Sequence, residues 1–576
     1  MYSVISTKLF KRFEQFLVLP QILQWLLIAS VVGVLSGLGS ALLLASLEWA
    51  TRLRESHLWM IALLPIGGFL IGWIYHLIGK DVEAGNNLLL DEIHDPKKII
   101  QLRMAPLVLI GTVATHLFGG SAGREGTALQ MGGSFADQLS QPLRLSPENR
   151  RILLMAGISG GFASVFGTPL AGAFFGLEVL AIGKMRYDAI FPCFIAALIG
   201  NQVTLACGIS HAAYIIPEVP HLTMSGLLIS IIAGAAFGIV GMLFAKAIHQ
   251  ISKTYKTYIK YAPLRPLIGG AMVAILVWVM GTTKYIGLGI PTMVDSFSRK
   301  LPPWDFGGKF FMTILTLGAG FKGGEVTPLF YIGATLGNAL SYVLALPTPL
   351  LAGMGFVAVF AGAANTPLAS TLMAIELFGS HAGIYAGMAC VASYLFSGHA
   401  GIYHSQRIGL GKATAGSPIE GLSLSALVQA RKVPVVHLVQ DLHFLGFIQK
   451  KEVFSMSYPM TVLRLYFHYG ARTRKQGFFA KFRAPSLGTD LLTKAKDFGI
   501  EQVILHRVSA GFLKGDILRK DIFEVPPDRL PQCIELIDQE EKLRLFLETY
   551  PLSPEEVRVV LLRAENPLLD LKQGER

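Results

Sequence analysis

At 576 residues, 52% hydrophobic and 15% charged, with a mean hydropathy of +0.52, the chain distributes its charges too unevenly for an ordinary soluble globule. The net charge of +12 does not point to nucleic acid, because the basic residues concentrate beside apolar spans, as from Lys246 to Arg265, the pattern of positive-inside bias. Cys193, Cys207, Cys390 and Cys533 have neither metal nor redox spacing, so no disulfide framework and no cofactor is expected.

In chain order, the N-terminus MYSVISTKLFKRFEQFLVLPQ lacks a compact apolar core followed by a small-residue cleavage site and is expected to be retained. Apolar stretches then follow one another from Gln24 to Phe396, including WLLIASVVGVLSGLGSALLLASLEW from Trp25, LLISIIAGAAFGIVGMLFA from Leu227 and IGGAMVAILVWVMG from Ile268. Such lengths suit membrane helices. Runs beginning at Leu107, Ile152 and Leu351 are shorter and broken by Gly and Pro, which a bilayer tolerates where the freed backbone is buried in protein or lines a polar cavity. An all-α polytopic transporter of broken, tilted helices is expected.

The same stretch contains an internal repeat. LFGGSAGREGTAL from Leu117 recurs as LGAGFKGGEVTPL from Leu317, and TPLAGAFFGLE from Thr168 recurs as TPLASTLMAIE from Thr366. Transporters use such repeats in inverted topology, with the ion site at their interface and helix N-termini aimed at the anion. Glycine-rich turns in both copies fit, since backbone N–H groups and the helix dipole serve an anion without a full charge in its path.

After His404 long apolar runs stop. Residues 412–459 read as a linker with short helices, and residues 460–576 as a soluble α/β domain. The expected order there is a strand from Thr461, a helix from Ser486, a strand from Gln502, a strand at PQCIELIDQ, a helix at EEKLRLFLETY and a strand at VRVVLLRAE, a split βαβ, ferredoxin-like arrangement.

Together, GREGT at Gly123 to Thr127, GGFASVFGTP, GGEVTP at Gly323 to Pro328 and GIYHSQ around Tyr403 resemble the chloride-channel/antiporter family, over Gln24 to Gly411. The resemblance implies residues 1–411 as the transporter domain, Glu125 as the gating carboxylate, Tyr403 as an ion-coordinating tyrosine, and a homodimer through the membrane domain. Three departures from the chloride pattern resemble the family's fluoride/proton antiporter branch. Thr127 stands where chloride members carry proline, GNNLL at Gly85 to Leu89 replaces GSGIP and brings Asn86 and Asn87, and Glu325 and Thr327 replace the aliphatic and small residues of the later motif. Val179 occupies the place of the internal proton glutamate of many chloride/proton exchangers, an absence that the fluoride branch shares.

Glu125 in a narrow path competes with the anion when ionised and vacates the site when protonated, because a buried carboxylate needs compensating donors. Asn86, Asn87, Thr127 and Thr327 are suitable neutral donors for compact, strongly hydrated fluoride, although Gly-Asn also marks an ordinary turn. Glu325 reads equally as a second proton station and as a helix cap. Tyr403 donates a phenolic O–H, yet interfacial tyrosines are commonplace. Arg124 raises local anion concentration without direct contact being implied. Glu178 and Glu376, equivalent in the repeat, read as helix-capping or pairing groups. His116 and His404 show no ligand spacing, so no metal is expected.

Residues from about Met460 to Glu565 resemble a small PII-like family, whose relatives bind nucleotides or small effectors and commonly trimerise, in conflict with a dimeric transporter. The basic run Ala471 to Arg483 suits a phosphate, anionic lipid, RNA or plain solvent, and no phosphate-binding glycine loop precedes it. The expectation is a fluoride/proton antiporter, multi-pass in the cell (inner) membrane, with a cytoplasmic C-terminal domain. A chloride channel or chloride/proton exchanger is the near alternative, and a membrane anion sensor the distant one. No nucleophile has a convincing base or metal cluster, so an enzyme is not expected.

Overall fold

The structure, a computed structural model, describes residues 14–412, 422–430, 460–468, 471, 486–507, 510–511, 519–520, 531–550, 552 and 557–564. Contacts divide the chain into two compact units, Met1–Leu143 with Arg150–Val433, and Arg144–Asn149 with Pro434–Arg576. Most of the expected linker, and residues 472–483 of the basic run, lie outside the described residues.

The first unit is built twice over. Its first half comprises α1 (Glu14–Ser56), α2 (Leu64–Ile78), α3 (Asn86–His94), α4 (Met104–Leu117), α5 (Glu125–Gln138), α6 (Pro147–Phe166), α7 (Pro169–Glu178) and α8 (Ile190–Ala206). The second half answers in the same order with α9 (Met224–Tyr258), α10 (Leu264–Met280), α11 (Ile290–Ser298), α12 (Asp305–Gly318), α13 (Val326–Leu340), α14 (Thr348–Ala364), α15 (Pro367–Phe378) and α16 (Ser380–Phe396). The correspondence extends to the caps: α3 and α11 each follow a glycine of positive φ, Gly85 at 60° and Gly289 at 74°. Likewise α7 and α15 each open on proline, whose fixed φ suits the first helical position.

Burial sorts these helices. Among the described residues, Leu19–Ser56, Leu58–Ile78, Tyr187–Ala206 and Met224–Tyr258 are long and apolar enough to cross a membrane. Their bare faces carry exposed Leu27, Leu38, Trp73, Leu228 and Ile232, as lipid-facing surface would. By contrast α5, α13 and α14 lie almost wholly inside, where glycines allow the closest approach. A Cβ built on Gly333 of α13 would stand 2.0 Å from the carbonyl oxygen of Gly355 in α14, so only glycine fits there.

Buried charge is matched across these helices. Arg150 at the start of α6 donates to both carboxylate oxygens of Asp137 in α5 at 2.7 Å, to Glu92 in α3 at 3.0 Å, and to the Lys98 carbonyl at 2.6 Å. Asp137 also accepts from the Ile100 N–H, and Glu92 from those of Lys97 and Lys98. One guanidinium thus ties together the ends of α3 and α5, whose other ends carry Asn86 and Glu125.

After α16 the chain returns through Tyr403 to a short parallel pair, β1 (Ala181–Ile182) with β2 (Arg407–Ile408). Helix α17 (Leu424–Ala430) packs Leu424 and Leu427 onto Ile182 and Ile408.

In the second unit, β3 (Met460–His468), α18 (Leu487–Asp497), β4 (Gln502–Arg507), β5 (Ala510–Gly511), β6 (Arg519–Lys520), β7 (Pro531–Gln539), α19 (Glu540–Thr549) and β8 (Arg558–Ala564) follow in order. The four longer strands form an antiparallel sheet, β4-β7-β3-β8, and β5 pairs with β6 separately. Alternation places Leu463, Leu465, Phe467, Ile534 and Leu536 on one face, against Leu491 of α18 and Leu543 and Phe546 of α19. Burial alone would raise the Glu535 carboxyl, but hydrogen bonds from His506 and Arg464 hold it below the usual range.

Replacing Arg150 by Met strands two buried carboxylates and is expected to cost about 3–5 kcal/mol of stability. Thermal unfolding in detergent checks this, and an unchanged midpoint refutes it.

Candidate functional site

Helices α5 and α13 begin against each other. Gly123 and Gly324 form an isolated antiparallel bridge, with N–H to O distances of 2.6 and 2.8 Å in the two directions. The exchange is the reciprocity a local two-fold relation between the repeats requires. Neither residue has room for a side chain: a Cβ on Gly123 would meet Gly324 O at 2.9 Å, and one on Gly324 would meet Gly126 N at 2.7 Å.

This crossing seats Glu125. Its carboxylate is fully buried and accepts from the Thr327 N–H at 3.0 Å, from the Thr327 hydroxyl, and from the Arg124 N–H at 3.1 Å. The Arg124 guanidinium stands 3.7 Å away. Thus the first residue of α5 fills the N-terminus of α13, the place where backbone donors and the helix dipole favour negative charge.

Two cavities without a common lining residue lie near this crossing, one lined by Arg124 beside Glu125 and the other by Gly323 and Glu325 at the start of α13. One, of about 600 Å³, is lined by Arg52, Arg54, Arg124, Lys284 and His211, with Glu48 and Glu55. The other, of about 130 Å³, is lined by Asn86, Asn87, Gln130, Lys322, Glu325 and Tyr403. Within the smaller cavity's wall, the Tyr403 hydroxyl and the Asn86 side-chain oxygen are buried without a hydrogen-bond partner. Buried polar atoms left open beside a polar cavity mark a place for a small polar guest.

The expected site residues therefore divide. Glu325, Asn86, Asn87 and Tyr403 line one cavity. Thr327 holds Glu125 rather than facing that cavity. The Thr127 hydroxyl pairs with the Thr112 hydroxyl at 2.6 Å, clamping α5 to α4. Asn87 accepts from the Ser405 N–H at 3.0 Å, which fixes the Tyr403 loop.

On its other flank, Gln406 donates to the carbonyls of Val179 and Ala364 at 2.9 and 3.0 Å and accepts from Asn365. Sequence reasoning missed Gln406 and Thr112, because their partners are 227 and 15 residues away and follow no helical or strand period. The Tyr403 ring meets Phe175 edge-on at 6.5 Å, at the end of an aromatic wall that includes Phe162, Phe330 and Phe360.

Glu178 and Glu376 cap each other's helices. Glu178 ends α7 and accepts from Leu368 and Ala369 N–H at the start of α15, at 3.1 and 2.8 Å, while Glu376 in α15 accepts from Leu170 and Ala171 N–H of α7, at 2.8 and 2.9 Å. Both carboxylates are committed to structure. His116 is fully buried between the carbonyls of Thr112 and Ala122, and no metal cluster occurs among the described residues.

Two repeats that meet at glycine-framed helix N-termini, with a carboxylate on the meeting point and cavities lined by polar groups nearby, define an anion pathway inside a multi-pass membrane protein. The family described as voltage gated chloride channel matches residues 67–398, more than half of the chain, and this chain belongs to that family. It is a transporter of the anion/proton type.

A "Chloride/fluoride channel protein" of Pseudomonas syringae pv. tomato is 59% identical over 362 residues, 62% of this chain and 80% of the relative. An "H(+)/Cl(-) exchange transporter ClcA" of Vibrio campbellii is 26% identical over 373 residues, 59% of this chain and 79% of the relative. Among solved structures, a CLC-type fluoride/proton antiporter superposes with a TM-score of 0.65 and 34% identity, covering 66% of this chain and 97% of its own.

Substituting Ala for Glu376 removes the acceptor of two helix-start N–H groups and is expected to cost about 0.5–2 kcal/mol. A matching loss for Glu178→Ala in thermal unfolding would express the reciprocity, and a loss at only one position would contradict it.

Proposed function

We propose that the chain is a secondary active antiporter that exports fluoride in exchange for protons, with Glu125 as both gate and proton carrier. The observation that carries this reading is the Glu125 carboxylate on the Thr327 N–H and hydroxyl, at the N-terminus of α13. Protonation removes the charge that those donors hold, the side chain leaves, and an anion takes its place at the N-terminus of α13. Return of the ionised carboxylate expels the anion, so one position alternates between proton carrier and cargo.

Fluoride is favoured over chloride because the smaller cavity offers neutral hydrogen-bonding groups, Asn86, Asn87 and Tyr403, to an ion that must exchange strong hydration for directed donors. The relatives whose printed names include fluoride support the same direction. Glu325, in the same wall, serves as a second proton station. We assign the C-terminal unit to the PII-like, ferredoxin-like class on its β4-β7-β3-β8 order, as a cytoplasmic regulatory domain for a small effector or nucleotide. The transporter is placed in the inner membrane as a homodimer through its membrane unit.

Flux from purified protein in liposomes, followed for fluoride, chloride and pH, tests the reading. Proton-coupled fluoride movement is expected, whereas chloride conduction without proton movement sinks it. Glu125→Gln should abolish coupling, and unchanged exchange would remove Glu125 from the mechanism. Thr327→Val weakens the hold on the carboxylate by about 1.5–3 kcal/mol, so uncoupled anion leak should rise about tenfold or more. Deleting residues beyond Gly421 should alter control of transport, and fully normal control would end the regulatory assignment.

A further inference from the structure

Among the described residues of the first unit, Lys309 is fully buried and Lys322 and Lys412 are part-buried, and two of these three are saturated. Lys309 donates to the Gly287 and Tyr285 carbonyls at 2.6 and 3.3 Å, and Lys412 to Asn365, the Tyr394 carbonyl and Ser397 at 2.6, 2.6 and 2.9 Å. Lys322 differs. Among the described residues its ammonium has no ion pair and no hydrogen-bond acceptor, only the face of the Tyr75 ring at 3.9 Å. Glu83, in the walls of the same cavities, is the acid whose charge it feels, and a cation set inside a membrane unit without a direct ion pair is costly enough to mark a functional position.

Its location supplies the guest. Lys322 lines the small cavity of Asn86, Glu325 and Tyr403, and also a neighbouring cavity of about 340 Å³ that shares Tyr75 and Glu83 with it. That second cavity is lined by Lys80, Lys256, Arg265 and His76, against Glu83 alone as an acid. A basic, low-dielectric cleft concentrates anions. Lys322 is common to the cleft and to the cavity of the open Tyr403 hydroxyl, and its stem is closely packed: a Cβ on Gly111 of α4 would lie 2.9 Å from both its Cβ and its Cγ.

We propose that Lys322 is a binding station for the transported anion on the face away from Arg124, passing the ion from the basic cleft to the Asn86 and Tyr403 cavity. The ammonium attracts the ion by charge, and the neutral donors beyond it complete the desolvation. The Tyr75 face holds the ammonium in line without neutralising it. This assignment rests on the antiport reading but not on which halide is carried.

Lys322→Met and Lys322→Arg in liposomes test it, with KM for the anion measured separately from each face and the proton-to-anion ratio recorded. For K322M we expect KM to rise about tenfold on one face only, as for loss of one desolvated ionic contact. The ratio should stay unchanged, and K322R should restore affinity. An unaltered KM on both faces, or an equal rise on both, overturns the proposal. Should K322M not yield monodisperse protein, Gly111→Ala keeps the charge but displaces the stem, and an unaltered KM there overturns it equally. Wild-type protein that carries only chloride would defeat the fluoride reading, and the Lys322 measurement is then made with chloride.

Discussion

An anion cannot cross a hydrocarbon layer unless something replaces its water, and a fixed cation that replaced it fully would never release it. The first unit is organised around the answer, a carboxylate resting on the N-terminus of a helix from the opposite repeat. Donors of the Thr327 kind are strong enough to hold charge and weak enough to exchange it. For Glu125 to reach them, α5 and α13 must begin at one point, and the backbones there must approach to bridging distance. Hence the bare Gly123 and Gly324, and hence helices too short to span a membrane upright.

Such a crossing leaves helix ends inside the protein, and each needs partners that do not compete for the ion. The reciprocal caps of Glu178 and Glu376 solve this for α7 and α15 at once. Arg150 does so differently, spending one cation on two carboxylates and a carbonyl so that α3 and α5 keep their relative position. Those supports fix the far ends of the two helices that begin with Asn86 and Glu125.

Much of this was legible because a repeat writes its own geometry. Two glycine-rich runs and two Thr-Pro-Leu runs at matching spacing announced paired broken helices, and the equivalent glutamates announced matching caps. The pairing of α3 with α11 was silent, since GNNLL and GIPTM share only the glycine whose positive φ both require. Residue type also left atoms unassigned. Thr327 and Thr127 read alike as hydroxyl donors, yet one holds the Glu125 carboxylate and the other clamps two helices, because which neighbour a hydroxyl meets is decided by packing rather than by local pattern. In the second unit, period-two alternation marked the strands, while their order in the sheet depended on contacts far along the chain.

The proton route narrows for the same structural reasons. Val179 is buried, donates its N–H to Phe175 and offers its carbonyl to Gln406, so the position next to Glu178 carries no titratable group. Glu178 is itself bound to the start of α15 and cannot leave without uncapping it. The carboxylates at the crossing are then Glu125 and Glu325, on helices that meet head to head, with Glu83 also in the wall of the small cavity. With acids at both helix starts, the crossing itself carries the titratable groups that position 179 lacks.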